Sequence, residues 1–203
     1  MYKRQPFGVV LSRHPLYLVL GTFAAATTFA VFYLANPFAL SWGTSQLHFD
    51  RQEFLKLQMF GCLFFGFLIP VAGKLGDRIG GRNMLILATL LIMAFGFAFD
   101  SLFSSHQTGP VILFLILGFG LAGLSYGPLG AALATLFPTA VRYTGTSLTF
   151  NLAGILGAAP TAPIAIWLGN KYGLKAVGWY LSAMGFITLL ALLGIRDPSR
   201  RTQ

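Results

Sequence analysis

Six runs of the sequence, roughly 16–40, 54–74, 84–103, 110–136, 144–168 and 176–195, are almost purely apolar. Each is close to the span of about 20 apolar residues that crosses the hydrocarbon core of a bilayer. Inside that core every backbone N–H and C=O must find a partner within the chain, so spanning segments are helices or the strands of closed barrels. These runs are too long and too uniformly apolar for barrel strands. The expected fold is an all-α membrane protein. Its transmembrane bundle covers 16–196, with a cytoplasmic N-terminal segment over 1–15 and a cytoplasmic tail over 197–203.

Charge agrees with this reading. Charged residues make up 9% of the chain, against roughly 25% in soluble domains, and mean hydropathy is +0.73. The net charge of +9 forms no basic stripe of the kind that binds nucleic acid. Instead the basic residues fill the gaps between apolar runs. One side of the membrane receives Lys3, Arg4, Arg13, Lys74, Arg78, Arg82, Arg142, Arg196, Arg200 and Arg201, and the other Arg51, Lys56, Lys171 and Lys175. This imbalance predicts both termini in the cytoplasm. Trp42, Trp167 and Trp179 fall near the outer ends of spans, where amphipathic rings favour the interface. Cys62 is the single cysteine, which rules out an intrachain disulfide and a cysteine-built metal site. The first apolar run is too long for a cleavable signal peptide.

The chain also repeats. "LGDRIGGR", from Leu75, aligns with "LGNKYGLK", from Leu168, at an offset of 93 that carries spans one to three onto spans four to six. An odd number of spans per copy gives the two triplets opposite orientation, an arrangement characteristic of secondary transporters.

Four of the scarce charges crowd into "GKLGDRIGGRN", where Lys74, Asp77, Arg78 and Arg82 lie between two greasy runs. Gly76 and Gly80 permit a sharp turn there. Asp77 is expected near the N-terminus of the third span, against the helix dipole and within reach of Arg78 and Arg82. The spacing Gly73, Leu75, Gly76, Asp77, Arg78, Gly80, Arg82 resembles the loop signature of the major facilitator superfamily, in which this loop latches transporter halves together in one access state. "YGPLGAALATLFPTAVRYTGTSLTFNLAGILGA", Tyr126 to Ala158, resembles the metabolite:proton symporters of that superfamily, such as carriers of shikimate, 2-oxoglutarate and proline/betaine. The likeness runs from about Pro6 to Asp197 and corresponds to the C-terminal six-span half of a twelve-span fold. It implies a secondary active transporter that moves a small polar metabolite, with protons as the coupling ion, and a partner in the missing N-terminal half.

The resemblance further implies that spans one and four line a central cavity, two and five flank it, and three and six face lipid. Substrate-cavity candidates are then Tyr33 and Asn36 beside Pro37, Gln58, Ser125 and Tyr126 beside Pro128, and Ser147 and Asn151, which share a face with Thr144. Pro37 and Pro128 each release a backbone carbonyl for other partners. The gating set is Gly73, Gly76, Asp77, Arg78, Gly80 and Arg82, joined by Arg142 after Phe137-Pro138-Thr139. No catalytic residue, metal ligand or cofactor is expected. "GFGLAG", Gly118 to Gly123, matches a dinucleotide fingerprint in letters alone, since no strand precedes it. Close helix packing through these glycines and Gly127 explains it better.

Absences sharpen the picture. No Asp or Glu lies inside a span, and His14, His48 and His106 lie outside them. An embedded proton carrier costs about 2.5–3.5 kcal/mol on insertion scales, and this chain holds none, so a titrating group belongs to the other half. "TFAAA" from Thr22 also lacks the Arg and Glu that many relatives carry there. Two further readings stay open at this stage. One is a complete six-span protein acting as a homodimer or with a separate half; the other is a non-transporting membrane protein.

Overall fold

The structure, a computed structural model, describes residues 6–104 and 107–195. A short helix α1 (Pro6–Arg13) leads into span one, which is α2 (Pro15–Tyr33), a π-helical turn (Leu34–Phe38) and α3 (Ala39–Ser45). Span two is α4 (Arg51–Ile79), span three α5 (Gly81–Phe103) and span four α6 (Thr108–Ala134). Span five is broken into α7 (Arg142–Gly157) and α8 (Thr161–Tyr172), and span six is α9 (Leu174–Gly194). The six spans are long and apolar enough to cross a membrane. The described residues thus form an all-α bundle of two inverted three-helix repeats with the build of an integral membrane protein.

The helices outrun the apolar runs at several ends. Span one begins at Pro15 and continues to Ser45, and span two takes in Arg51, Lys56, Lys74 and Arg78. Hydropathy marks where hydrocarbon begins, whereas the helix continues through the interface into water. Asp50 starts span two by accepting the amides of Gln52 (2.9 Å) and Glu53 (3.1 Å), an N-cap worth about 1 kcal/mol. The expected continuous fifth helix is interrupted at Ala158–Pro160, because Pro160 has no N–H to give to the preceding turn.

The repeat is visible in the backbone. An offset of 93 carries Pro15 to Thr108, Ile79 to Tyr172 and Gly81 to Leu174, so helices begin and end in step. It also carries Gly80 to Gly173, the two glycines with positive φ among the described residues, at 90° and 81°. Each is a one-residue joint between two long helices, in a conformation that side chains resist. Packing shows the same exchange: span two lies on span four as span five lies on span one, and spans three and six cross each other behind them.

Small residues set these crossings. A Cβ on Gly123 would meet the carbonyl oxygen of Phe65 at 2.6 Å, and Gly127 lies equally close to span two at Ile69. The glycines of "GFGLAG" and Gly127 therefore serve close helix approach, as expected. Gly96 and Gly178 do the same where spans three and six cross, beside the Ser182 hydroxyl, which donates to Met93 O (3.0 Å). Thr27 and Thr188 share a hydrogen bond of 2.8 Å between spans one and six. Two apolar cores fill the bundle. The one toward the Gly173 end is aromatic, with Phe103 and Phe114 stacked at 4.2 Å and Phe38, Phe95 and Phe99 around them. The other gathers Leu18, Leu85, Leu129, Leu133, Phe137 and Leu192. Exposed Leu87, Leu90 and Phe97 on span three, and Phe186, Leu190 and Leu193 on span six, form the apolar surface expected against lipid.

Arg13, Lys74, Arg78, Arg82 and Arg142 gather at one end of the bundle, and Arg51, Lys56, Lys171 and Lys175 at the other. Lys3, Arg4, Arg196, Arg200, Arg201, Asp197 and His106 lie outside the described residues.

Replacing Gly123 by Val forces a side chain into the Phe65 backbone, and overpacking of this kind costs roughly 1–3 kcal/mol. The purified variant is expected to lose thermal stability in detergent. Gly130→Ala, where nothing lies within 4 Å, is expected to melt like the parent.

Candidate functional site

A concavity of about 580 Å³ lies among spans one, two, four and five and is open on one side. Span one contributes Thr28, Phe29, Phe32 and Tyr33, span two Phe65, span four Tyr126, and span five Phe150, Asn151 and the segment at its break. Spans three and six contribute no lining residue. Its size falls in the range of about 300–1,000 Å³ typical of small-molecule sites.

The wall is a chain of aromatic rings crossing four spans. Phe29 meets Phe150 at 5.1 Å, Phe150 meets Tyr126 at 6.1 Å, Tyr126 meets Phe65 at 5.8 Å, and Phe65 meets Phe32 at 5.2 Å. Each ring holds its neighbour's orientation through tilted or edge contacts of about 0.5–1.5 kcal/mol. Among the described residues the hydroxyls of Thr28, Tyr33 and Tyr126 make no hydrogen bond, so three hydroxyl-bearing side chains in the lining keep their capacity for a guest or water. Asn151 Nδ2 donates to Ser147 O (2.8 Å), which leaves its carbonyl oxygen available. No Asp, Glu, Lys, Arg or His lines the cavity.

The expected cavity residues separate into two groups. Tyr33, Tyr126 and Asn151 line the cavity together, whereas Asn36, Gln58, Ser125 and Ser147 lie outside the lining. Ser125 is buried and donates back to Ala122 O (3.0 Å). Ser147 is exposed, and Asn36 is half-buried.

Gln58 has a different task. Its Nε2 donates to Ala35 O (3.0 Å) and to Asn36 O (2.8 Å) across the span one–span two contact. Pro37 cannot donate, and the turn around it widens so that the Ala39 amide reaches back to Leu34 O. Gln58 thus binds the backbone of the widened turn, at Ala35 O and at Asn36 O, which also accepts from the Ala39 amide. Sequence reasoning missed Thr28, Phe29, Phe32, Phe65 and Phe150. Helical spacing carried the signal for the first three, which share one face with Tyr33.

The charged junction differs from its expected form. "GKLGDRIGGRN" is helix up to Ile79 and again from Gly81, with Gly80 as the whole connection. Asp77 sits in the last turn of span two, not at the start of span three, where the dipole of its own helix disfavours a carboxylate. No ion pair with Arg78 or Arg82 forms among the described residues. Arg82 turns to span six, where its Nε donates to Leu192 O (2.8 Å) and one terminal nitrogen to Leu193 O (3.3 Å). A cation at a helix C-terminus satisfies carbonyls that have no intrahelical donor. A second depression of about 660 Å³ is lined by Gly73, Gly76, Asp77, Arg78, Gly80, Arg82 and the facing part of span four. Arg142 folds back over its own entry turn, toward Phe137 O (3.4 Å) and Thr139 Oγ1 (3.5 Å).

Gln58→Leu keeps the volume but removes the side-chain donor that joins span two to the buried backbone of the span-one turn. A loss of about 1–3 kcal/mol is expected, read as a lower melting temperature in detergent. Ser147→Ala, which removes an exposed hydroxyl, is expected to leave melting unchanged.

Comparison with known proteins places this geometry. The family model described as Major Facilitator Superfamily matches residues 18–203. The chain is 44% identical over 193 residues to the inner membrane metabolite transport protein YhjE of Escherichia coli K12, covering 93% of this chain and 44% of that one. It is 33% identical over 203 residues to a putative metabolite transport protein of Haemophilus influenzae, covering 95% and 46%. Against the citrate-proton symporter of Klebsiella pneumoniae it is 28% identical over 190 residues, covering 93% and 43%. The chain spans less than half the length of each of these relatives. No solved structure matches it. The chain belongs to the major facilitator superfamily, a family of transporters.

Proposed function

We propose that this six-span bundle is the C-terminal half of a secondary active transporter that moves a small polar metabolite across a bacterial cytoplasmic membrane by alternating access. The observation that carries the proposal is the cavity walled by spans one, two, four and five and open on one side. A second bundle set against that opening encloses a midplane site, and rocking of the two bundles exposes it to either face in turn.

The chemistry of the wall divides the work. This half offers aromatic faces, the Thr28, Tyr33 and Tyr126 hydroxyls and the Asn151 carbonyl, all neutral. Asn36, Gln58, Ser125 and Ser147 then act by shaping or supporting spans, not by touching the guest. Charge on the metabolite, and the group that carries a proton across, belong to the partner bundle. The Gly73–Asn83 junction biases one access state through contacts made in that state alone, as any switch must, and Arg142 guards the same end. In this reading that end is cytoplasmic, with residues 1–15 and 197–203 flanking the 16–196 bundle on the cytoplasmic side.

Two measurements test the proposal. Genomic DNA upstream of Met1 is expected to encode a second six-span segment, in frame or as a separate gene; its absence, with uptake by this chain alone, supports a homodimeric carrier instead. In proteoliposomes of the assembled protein, a proton gradient is expected to drive metabolite uptake. Asn151→Ala is expected to lower that uptake about tenfold or more, the loss of one or two hydrogen bonds to the guest. Asp77→Asn is expected to slow uptake while membrane insertion stays normal. Unchanged uptake in both variants overturns the residue assignments.

A further inference from the structure

At the Gly173 end a groove of about 610 Å³ runs along the outside of the bundle, between the end of span five and the start of span six. It lies apart from the mid-bundle cavity, shares no lining residue with it, and has no bearing on the transport reading. Its floor and walls are Ala176, Trp179, Tyr180 and Ala183, at positions i, i+3, i+4 and i+7 of α9. They form one stripe of the helix over about two turns, or roughly 10 Å along the membrane normal. The two alanines hollow the stripe, and the two aromatic residues border it. The Tyr180 hydroxyl is taken by Thr161 (3.1 Å), so the groove below its mouth is apolar.

Lys175 lines the groove, and Lys171 stands against the Tyr172 ring that borders it. Lys171, in the last turn of span five, places its Nζ 5.3 Å from the ring centres of both Trp167 and Tyr172. Lys175, in the first turn of span six, places its Nζ 5.4 Å from the Trp179 ring. Neither lysine has an ion pair among the described residues, and none of Asp50, Glu53 or Asp100 lines the groove. Trp167, Tyr172 and Trp179 are each more than half exposed at this end of the spans, and exposed Trp and Tyr rings favour headgroup depth. Two ammonium groups without ion pairs at the end of the bundle, beside an open apolar groove that runs along the outside of a membrane span, are the complement of an anionic headgroup on an acyl chain.

We propose that the groove holds one anionic phospholipid, its phosphate between Lys171 and Lys175 and one acyl chain along Ala176–Ala183. Native mass spectrometry of the full chain, released from detergent with added phosphatidylglycerol, reads the bound lipid directly. One retained phosphatidylglycerol is expected, held about tenfold or more weaker by the double variant Lys171→Gln/Lys175→Gln, since each lysine contributes roughly a kilocalorie at an anionic surface. Ala183→Trp fills the channel without touching the lysines and is expected to displace the lipid too. Phosphatidylcholine of the same chains is expected to bind more weakly, and inorganic phosphate not to compete. Equal retention by the parent and both variants, equal retention of the two lipids, displacement by phosphate, or occupation of the face by a second copy of the chain would each overturn the proposal.

Discussion

An unpaired peptide group in hydrocarbon costs several kcal/mol, and the architecture is organised by avoiding that cost. It makes every span a helix. It also governs the places where a helix is interrupted. Pro37 opens span one into a π-turn, and two carbonyls of that turn accept from Gln58 of the neighbouring span. The last carbonyls of span six are met by Arg82 from span three. These two long-range donors join helices far apart in sequence, so the same demand that shapes each helix also fixes how helices are assembled. Glycine supplies the rest, by letting backbones approach closely enough for dispersion forces to replace the missing hydrophobic drive between helices.

The mid-bundle cavity is a consequence of this assembly. Spans three and six cross behind the others and face outward with leucine and phenylalanine, which leaves spans one, two, four and five to enclose the space. Broken or widened helices adjoin it: the π-turn of span one follows Tyr33, and the gap in span five supplies Ala158 and Ala159 to the lining. Irregular backbone at membrane depth is tolerated where it borders a cavity or is covered by protein. Irregularity, aromatic walls and unpartnered hydroxyls therefore coincide because each needs the same sheltered location.

Much of the fold was legible in the sequence. Apolar runs located the spans, and the 93-residue offset anticipated both the register of the two triplets and the paired glycine joints. What hydropathy missed was the length of the helices beyond the hydrocarbon, as at Lys74–Ile79, because charge ends an apolar run without ending a helix. The candidate site was harder to read. Tyr33, Tyr126 and Asn151 declared themselves as polar groups in greasy helices, but so did Gln58, and residue type could not separate a side chain facing a cavity from one bonded to a neighbouring span's backbone. That distinction depends on which neighbour lies opposite, a tertiary fact. The phenylalanines of the wall were invisible for the opposite reason, being indistinguishable by type from those packed in the core.

The two glycine joints have a mechanical consequence. A link one residue long has no slack, so span two cannot shift along its axis without carrying span three, and span five is bound to span six in the same way. Each of these two pairs therefore tilts as a hairpin of two rods, and whatever turns one rod levers its partner through the lipid.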